Sequence, residues 1–378
     1  MSLVQAQSKP ATLAQPKPQS KPAVAATAAT VKQLQIHYIN VEQGGATLIV
    51  GPNGTKIMYD FGNLPGGKNI GKYLREKVGM REGDPVHYAI VSHADKDHYL
   101  GYKHFVEKDG FNVSIANYEP GTTKSISRTM KSHWLDPAQK TWAKKFKPIP
   151  VGLRIALGDG AEAHVVAANG VVLGETTSPA VRNENDRSIA LFIRHGNFSY
   201  ILDGDLGGGN DPCTDHQTSQ KKIQERVARA LVAHDLIPEG RGVSVMHVAH
   251  HGSESSTPSG YYNAMQPEVA VISVGDNQGS FLHPREDVID KVLLQTVKVS
   301  CSLVPPVKAV FQTSEARPKE PCSSTGCIST KGLVAGSFVI TTDGRNGYDI
   351  KTEKAVKHGK DVKAQAPPEL LWHFDFPK

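Results

Sequence analysis

Two imidazoles and two carboxylates, His93, Asp95, Asp97 and His98, fall within six residues of the run Ser92-His93-Ala94-Asp95-Lys96-Asp97-His98-Tyr99-Leu100-Gly101. Neutral imidazole and ionised carboxylate are donors for zinc, manganese or iron, and a water on such an ion is a ready nucleophile near neutral pH. In a segment passing from strand to loop, two-residue alternation puts His93 and Asp95 on one side. Asp97 and His98, at the turn, can then face a second point. The spacing thus predicts ligands for two adjacent divalent ions. The bland reading is a polar surface loop whose histidines happen to cluster.

Further groups of the same chemistry follow. Asp205 comes just after an apolar strand, Phe198 to Leu202, where a carboxylate needs a metal or a capping role to offset its desolvation. Asp203, two positions earlier, is the weaker candidate. His250 and His251 follow the apolar strand Val243 to Ala249, and Gly252 and Ser253 after them permit a tight turn against a substrate. Alternation would place the two on opposite faces, one as a ligand and the other touching a ligand or a phosphate; which is which stays open. His283, held in extended geometry before Pro284, is a candidate to bind substrate or donate a proton, with a structural histidine as the equal alternative.

The elements that must position these groups are strand-rich at first and mixed later. Val86 to Val91 reads as a buried strand feeding the His/Asp loop, and Leu34 to Tyr38, Thr47 to Val50 and Ile57 to Tyr59 as short strands with a hairpin turn at Pro52-Asn53-Gly54. A helix is predicted from Tyr102 to Lys108, its N-terminus facing the site, followed by a strand from Val113 to Tyr118. Val151 to Asn169 and Ser188 to Leu202 read as further strands. Ile223, Val227, Leu231 and Val232 form a helical stripe within Gln220 to His234. Two mixed sheets flanked by helices fit this order.

The motifs, taken together and in order, resemble those of metallo-β-lactamase-fold hydrolases, and in particular the competence-type (ComEC-like) DNA-uptake branch. The usual His-x-His-x-Asp-His loop has Asp95 in place of its second histidine here. Val41-Glu42-Gln43-Gly44-Gly45-Ala46 with Tyr59-Asp60-Phe61-Gly62, Asn185 to Ile189 leading to Ile201-Leu202-Asp203-Gly204-Asp205, His250-His251-Gly252-Ser253, Val274-Gly275 before Leu282-His283-Pro284, and Phe338 to Gly344 match further segments. The resemblance covers about residues 33 to 352. It implies an αββα four-layer sandwich, Asp205 as a ligand shared by both ions, Asp97, His98 and one of His250 or His251 completing the water-activating ion, and His93 with Asp95 on its partner. It also implies that Asp60 orients a ligand imidazole; capping the following glycine turn is the plainer role. Asn185 and Asp186 stand where many relatives carry a histidine for the first ion, and no such histidine is evident. His104, His133, His164 and His195 fall outside the pattern. With Asp95 for an imidazole the first position is oxygen-rich, which favours Mn²⁺ relative to Zn²⁺ and suits phosphodiester hydrolysis.

Composition is that of a soluble enzyme. The chain has 378 residues, 39% of them hydrophobic, enough for one large core, and no apolar run nears the roughly 18 residues of a membrane helix. Residues 1–32, rich in Ala, Pro, Gln, Lys and Ser, read as a disordered leader or linker without a signal-peptide core. The resemblance implies a hydrolase domain at residues 33–352, with 353–378 expected as a tail. A cytoplasmic protein and an exported one lacking its signal would look alike, and oligomeric state is open. Of Cys213, Cys301, Cys322 and Cys327, the last two bracket a Ser/Thr/Gly loop and are expected to pair, with free thiols as the alternative.

Net charge is +6 and the isoelectric point near 8.9. Lys124, Arg128, Lys131, Lys140, Lys144, Lys145 and Lys147, interleaved with His133, Trp134 and Trp142, form a basic, aromatic insertion suited to a phosphate backbone and stacked bases; a solvated lysine face over a local core is the alternative. The expected function is a metal-dependent phosphodiesterase or nuclease using one or two Zn²⁺ or Mn²⁺ ions, with Asp97 and His283 as its catalytic groups. A hydrolase of smaller esters, of phosphorylcholine esterase or lactonase type, and a non-catalytic binding module are the alternatives.

Overall fold

The computed structural model describes residues 32–376 except 122–125, 177–179, 214–217, 239, 277–280, 298–301, 317–319, 325, 354–355 and 358–369. The expected leader therefore lies outside the described residues, apart from Lys32, as do Lys124 and Cys301.

Alternation along the early strands builds two cores on opposite faces of one sheet. Ile57 and Tyr59 point into one apolar cluster while Met58, between them, joins another; Ile49 and Leu48 divide in the same way. In this nine-stranded sheet, the order is Leu370–Asp375, Gly347–Thr352, Phe338–Thr342, Leu34–Tyr38, Thr47–Val50, Lys56–Tyr59, Pro85–Ile90, Asn112–Glu119 and Phe146–Pro148. Pairing is antiparallel up to Lys56–Tyr59 and parallel beyond it. The strand Leu370–Asp375 pairs with Gly347–Thr352, so the sheet runs on past residue 352, the expected domain end.

The second large sheet centres on parallel pairings of Phe198–Leu202, Val245–His247, Val269–Ile272 and Ala309–Gln312, with Ala190–His195, Ala161–Ala168 and Arg154–Gly158 added antiparallel. One core lies between the sheets: Ile36, Tyr38, Ile57 and Ile90 of the first share it with Leu191, Tyr200, Val245 and Val271 of the second. Outside the first sheet, Met58 and Ala89 pack with Leu74, Tyr102 and Phe105 from helical segments. Outside the second, Phe192, Met246 and Ala270 pack with Val227, Leu231 and Tyr262. Helix, sheet, sheet, helix is the metallo-β-lactamase-like sandwich the motifs implied. Among the described residues no helix is long and apolar enough to cross a membrane.

Several expectations need correcting in detail. The helix at Ile223–Ala233 buries Ile223, Val227 and Leu231, but Val232 lies on its exposed side, because one residue beyond Leu231 is about 100° around the helix. Trp134 is buried and stacks on Tyr99, so it belongs to the core and cannot take a base; Trp142 is 60% exposed. Lys131 and Lys140 are paired with Asp136 and Glu107. Cys322 and Cys327 form the expected disulfide, with an S–S distance of 2.06 Å, and Cys213 is disulfide-bonded as well.

Candidate active site

The chemistry gathers where neighbouring strands of both sheets end. Asp60 follows Lys56–Tyr59, His93 follows Pro85–Ile90, Asp205 follows Phe198–Leu202, and His250 and His251 follow Val245–His247. Loops at strand ends leave side chains free of the core while the strands fix their origins. Hydrogen bonds join these loops: Ile189 N–H donates to Ser92 O, His250 N–H to Gly204 O, and Phe61 N–H to His98 O. Glycine is required at Gly44 and Gly275. A Cβ on Gly44, whose φ is +121°, would sit 2.1 Å from Asp97 O; one on Gly275 would sit 2.0 Å from Gln43 N. The separate motifs at residues 41–46, 97–98 and 274–275 are thus packed backbone to backbone.

Asp205 Oδ2 is the centre of the cluster. Around it lie His98 Nε2 at 3.3 Å, His93 Nε2 and His251 Nε2 at 3.7 Å, and His250 Nε2 at 3.8 Å. Asp95 Oδ2 is 3.4 Å from His93 Nε2, and Asp97 Oδ2 is 3.2 Å from His251 Nε2. Among the described residues two groups could hold an ion: His93, His98 and Asp205, and Asp97, His98 and His251. The alternation expected for the loop is modified, because Asp97 and His98 sit in a short helix, Lys96–Tyr99, that turns His98 toward both groups.

Each imidazole is anchored by its other nitrogen. His98 Nδ1 lies 2.7 Å from Asp60 Oδ2, His251 Nδ1 donates to Ser273 O at 2.7 Å, His93 Nδ1 meets Ser92 Oγ at 3.0 Å, and His250 Nδ1 meets Ser255 Oγ at 3.0 Å. A carbonyl can only accept, so the proton of neutral His251 is on Nδ1 and its Nε2 carries a lone pair. The Nε2 atoms of His93, His98 and His251 are buried without a hydrogen-bond partner. Buried polar nitrogens of this kind are costly unless something binds them, and three converging on one carboxylate oxygen fit a cation.

The electrostatics of the protein alone agree. Burial opposes charge on His98, yet Asp205, Asp60 and Asp97 together hold its pKa well above the usual histidine range. His251 is raised against burial by Asp205 and Asp97. Burial would raise Asp97 and Asp205, but the neighbouring imidazoles keep both well below the ordinary carboxylate range. Burial dominates at His250 and lowers it, and at His283 burial and the two neighbouring histidines lower it strongly.

The His250/His251 pair departs from the expected alternation. Both residues are left-handed, with φ of 51° and 55°, in a turn rather than a strand. Such backbone costs on the order of 1–3 kcal/mol per residue and is kept only where the surroundings impose it. Gly252, against Pro284, and Arg285 N–H, donating to Gly252 O, provide that support. The turn sends His251 to Asp97 and leaves His250 between Asp205, Ser255 and Asn185, whose Nδ2 is 3.3 Å from His250 Nε2. In the sequence either member of the pair could complete the ion at Asp97; the turn puts His251 there and His250 beside Asn185, on the side where no histidine was evident.

Asp203 stands behind the cluster. It accepts hydrogen bonds from Gln224 Nε2 at 2.7 Å and Tyr261 OH at 3.3 Å, and lies 3.0 Å from His247 Nδ1. Gln224 and Ser255 are participants that no sequence motif singled out, and Ser188, inside the Asn185–Ile189 motif, had no role assigned to it. Ser188 Oγ accepts from Asp205 N–H and so fixes the loop that carries the central carboxylate. His104 and His164 pair with Asp109 and Glu162 away from the site. His283 lines the same cleft of about 480 Å³ as Asp95, Asp97, Asp205, His250 and His251, and the peptide bond joining it to Pro284 is cis.

No family model matches the chain. It is 26% identical over 241 residues to Recombination protein 2 of Haemophilus influenzae, covering 64% of this chain and 24% of that protein. It is 28% identical over 129 residues to ComE operon protein 3 of Bacillus subtilis, covering 34% of this chain and 14% of that one. The chain thus matches a quarter or less of the length of these relatives. Among solved structures it is similar to the diiron β-hydroxylase CmlA of Streptomyces venezuelae (TM-score 0.38, 11% identity, 69% of this chain and 47% of that one). It is also similar to a metal-dependent hydrolase of the β-lactamase superfamily (TM-score 0.35, 11% identity, 63% and 87%).

Proposed function

We propose that this chain, whose similarity lies with the competence-type branch of the metallo-β-lactamase fold, is a metal-dependent hydrolase acting on phosphodiesters, with nucleic acid as the substrate class. The observation that carries this reading is the convergence on Asp205 Oδ2 of the buried Nε2 atoms of His93, His98 and His251, which have carboxylates nearby but no hydrogen bond.

In this reading Asp97, His98, His251 and Asp205 hold one divalent ion, and His93, Asp95, His250 and Asp205 hold a second. His250 supplies the nitrogen that Asn185 does not, since its Nε2 lies as near Asp205 as those of His93 and His251. Asp95, where an imidazole is usual, favours Mn²⁺ relative to Zn²⁺. When bound, such ions supply an acidified water and positive charge facing the phosphoryl oxygens. Asp97, kept ionised against burial by His98 and His251, can accept a hydrogen bond from the attacking water. His283, kept neutral, offers an N–H to a phosphoryl oxygen, which favours substrate binding over proton donation. The disulfides at Cys322–Cys327 and at Cys213 support an oxidising compartment.

The test is metal analysis of the purified protein together with turnover of bis(4-nitrophenyl) phosphate, DNA and RNA under Mn²⁺ and Zn²⁺, beside Asp97→Ala. Metal-dependent diester cleavage that Asp97→Ala abolishes is expected. Turnover of lactones or phosphorylcholine esters alone would replace the substrate class, and neither bound metal nor turnover would leave a binding module.

A further inference from the structure

The cleft is lined by an exposed aromatic side chain, Phe281, outside the ion-binding groups. Phe281 is 63% exposed, and its ring stacks on that of His283 at 5.7 Å and 26°; both residues line the cleft with Asp97, Asp205 and His250. His283 is in turn 5.3 Å, ring to ring, from His250. The Phe281 ring thus stands two ring contacts from His250.

Beyond His250 the surroundings change character. A second cleft, of about 800 Å³, is lined by Ala180, Arg182, Asn183, Ser219 and Lys221. Its lining residues adjoin the contacts of His250: Asn183 Oδ1 accepts from Asn185 N–H at 3.0 Å, and Gln220, whose Nε2 is 3.5 Å from His250 Nδ1, lies between Ser219 and Lys221 in sequence. Arg182 and Lys221 are the exposed cations among its lining residues. Phe281 and His250 thus line one cleft, and Arg182 and Lys221 line a second whose wall residues neighbour the contacts of His250.

We propose that Phe281 is a stacking platform for the nucleobase next to the scissile phosphate, and that Arg182 and Lys221 receive a phosphate farther along the same strand. The proposal rests on the phosphodiesterase reading and deepens it to an unpaired polynucleotide strand, because a base must leave its own stack to lie on a phenyl ring. Base–aromatic stacking is sequence-tolerant, so Phe281 would select for the presence of a base rather than its identity.

The experiment compares wild type, Phe281→Ala, Phe281→Trp and the double variant Arg182→Ala/Lys221→Ala on a fluorescein-labelled thymidine oligonucleotide, its abasic counterpart and a hairpin duplex. Cleavage is followed with Mn²⁺, and binding by anisotropy with Ca²⁺. Phe281→Ala should weaken binding and raise KM on the intact strand by roughly 5- to 150-fold. Phe281→Trp should restore both, and the abasic strand should be insensitive to either. The double variant should flatten the salt dependence of binding by about 0.7 units of slope on a log–log plot, the amount for one phosphate of a single strand. Equal behaviour of Phe281→Ala and wild type on the intact strand, or no binding of it by wild type, overturns the proposal. Cleavage of small diesters without strand binding would refute this inference and spare the phosphodiesterase reading. Phe281-dependent strand binding without any diester turnover would do the reverse.

Discussion

Asp60 Oδ2 lies 2.7 Å from His98 Nδ1, while the other carboxylate oxygen accepts the Ser92 N–H at 2.7 Å. One buried carboxylate therefore fixes both the imidazole nearest Asp205 and the residue that precedes His93. Asp60→Asn keeps the shape and removes the charge that supports His98. Metal affinity should fall about 10- to 100-fold. Competition against a fluorescent chelator measures it, and unchanged affinity would reduce Asp60 to a turn residue.

Asp95→His restores an imidazole where the loop carries a carboxylate. Its carboxylate is half exposed and 3.4 Å from His93 Nε2, so a longer ring has room to reach the same point. The ratio of Zn²⁺ to Mn²⁺ retained from an equimolar mixture should rise. Metal content by mass spectrometry is the measurement; a constant ratio means that Asp95 holds no ion.

The protonation of the cluster gives a pH signature. In the metal-free protein His98 and His251 are raised, so the stability they contribute is complete below the unfolded value of about 6.5 and is lost as pH rises through the folded values. Asp97 and Asp205 are depressed, and their contribution is present above about 3.8 and lost as pH falls. With a chelator present, the melting temperature should therefore fall between pH 6 and pH 9. With Mn²⁺ bound it should hold, because the ion replaces the protons, and affinity should rise with pH. Parallel thermal melts decide it; identical pH profiles with and without metal would contradict the ligand set.

Asp203 ties Gln224, Tyr261 and His247 together beneath the loop that ends in Asp205. Gln224 Oε1 also accepts from Thr257 N–H at 2.6 Å, linking the strand end to the turn after His251. Asp203→Asn should cost about 2–3 kcal/mol of stability, as expected for losing charged, buried hydrogen bonds. Chemical denaturation is the readout, and a loss under 0.5 kcal/mol, on the order of a neutral surface change, would mean that the network is slack.

The strands around the site were legible because burial on alternate sides leaves a period of two. Leu34–Tyr38 and Thr47–Val50 fall where alternation puts them. Trp134 and Trp142 were not separable in this way: both lie in the same lysine-rich stretch, and only packing against Tyr99 and Phe146 makes the first a core residue. Val232 likewise needed the helix to be docked before its side was known.

Local spacing alone determined the donor types: imidazoles and carboxylates crowded at residues 93–98, with Asp205 and the His250/His251 pair after apolar strands. Tertiary structure decided how they divide. A left-handed turn, not strand alternation, sends His251 to Asp97 and leaves His250 beside Asp205 and Asn185. Periodicity reports which face a side chain leaves from, whereas the distance between loops more than 40 residues apart is set by sheet pairing and by close glycine contacts such as Gly275 on Gln43.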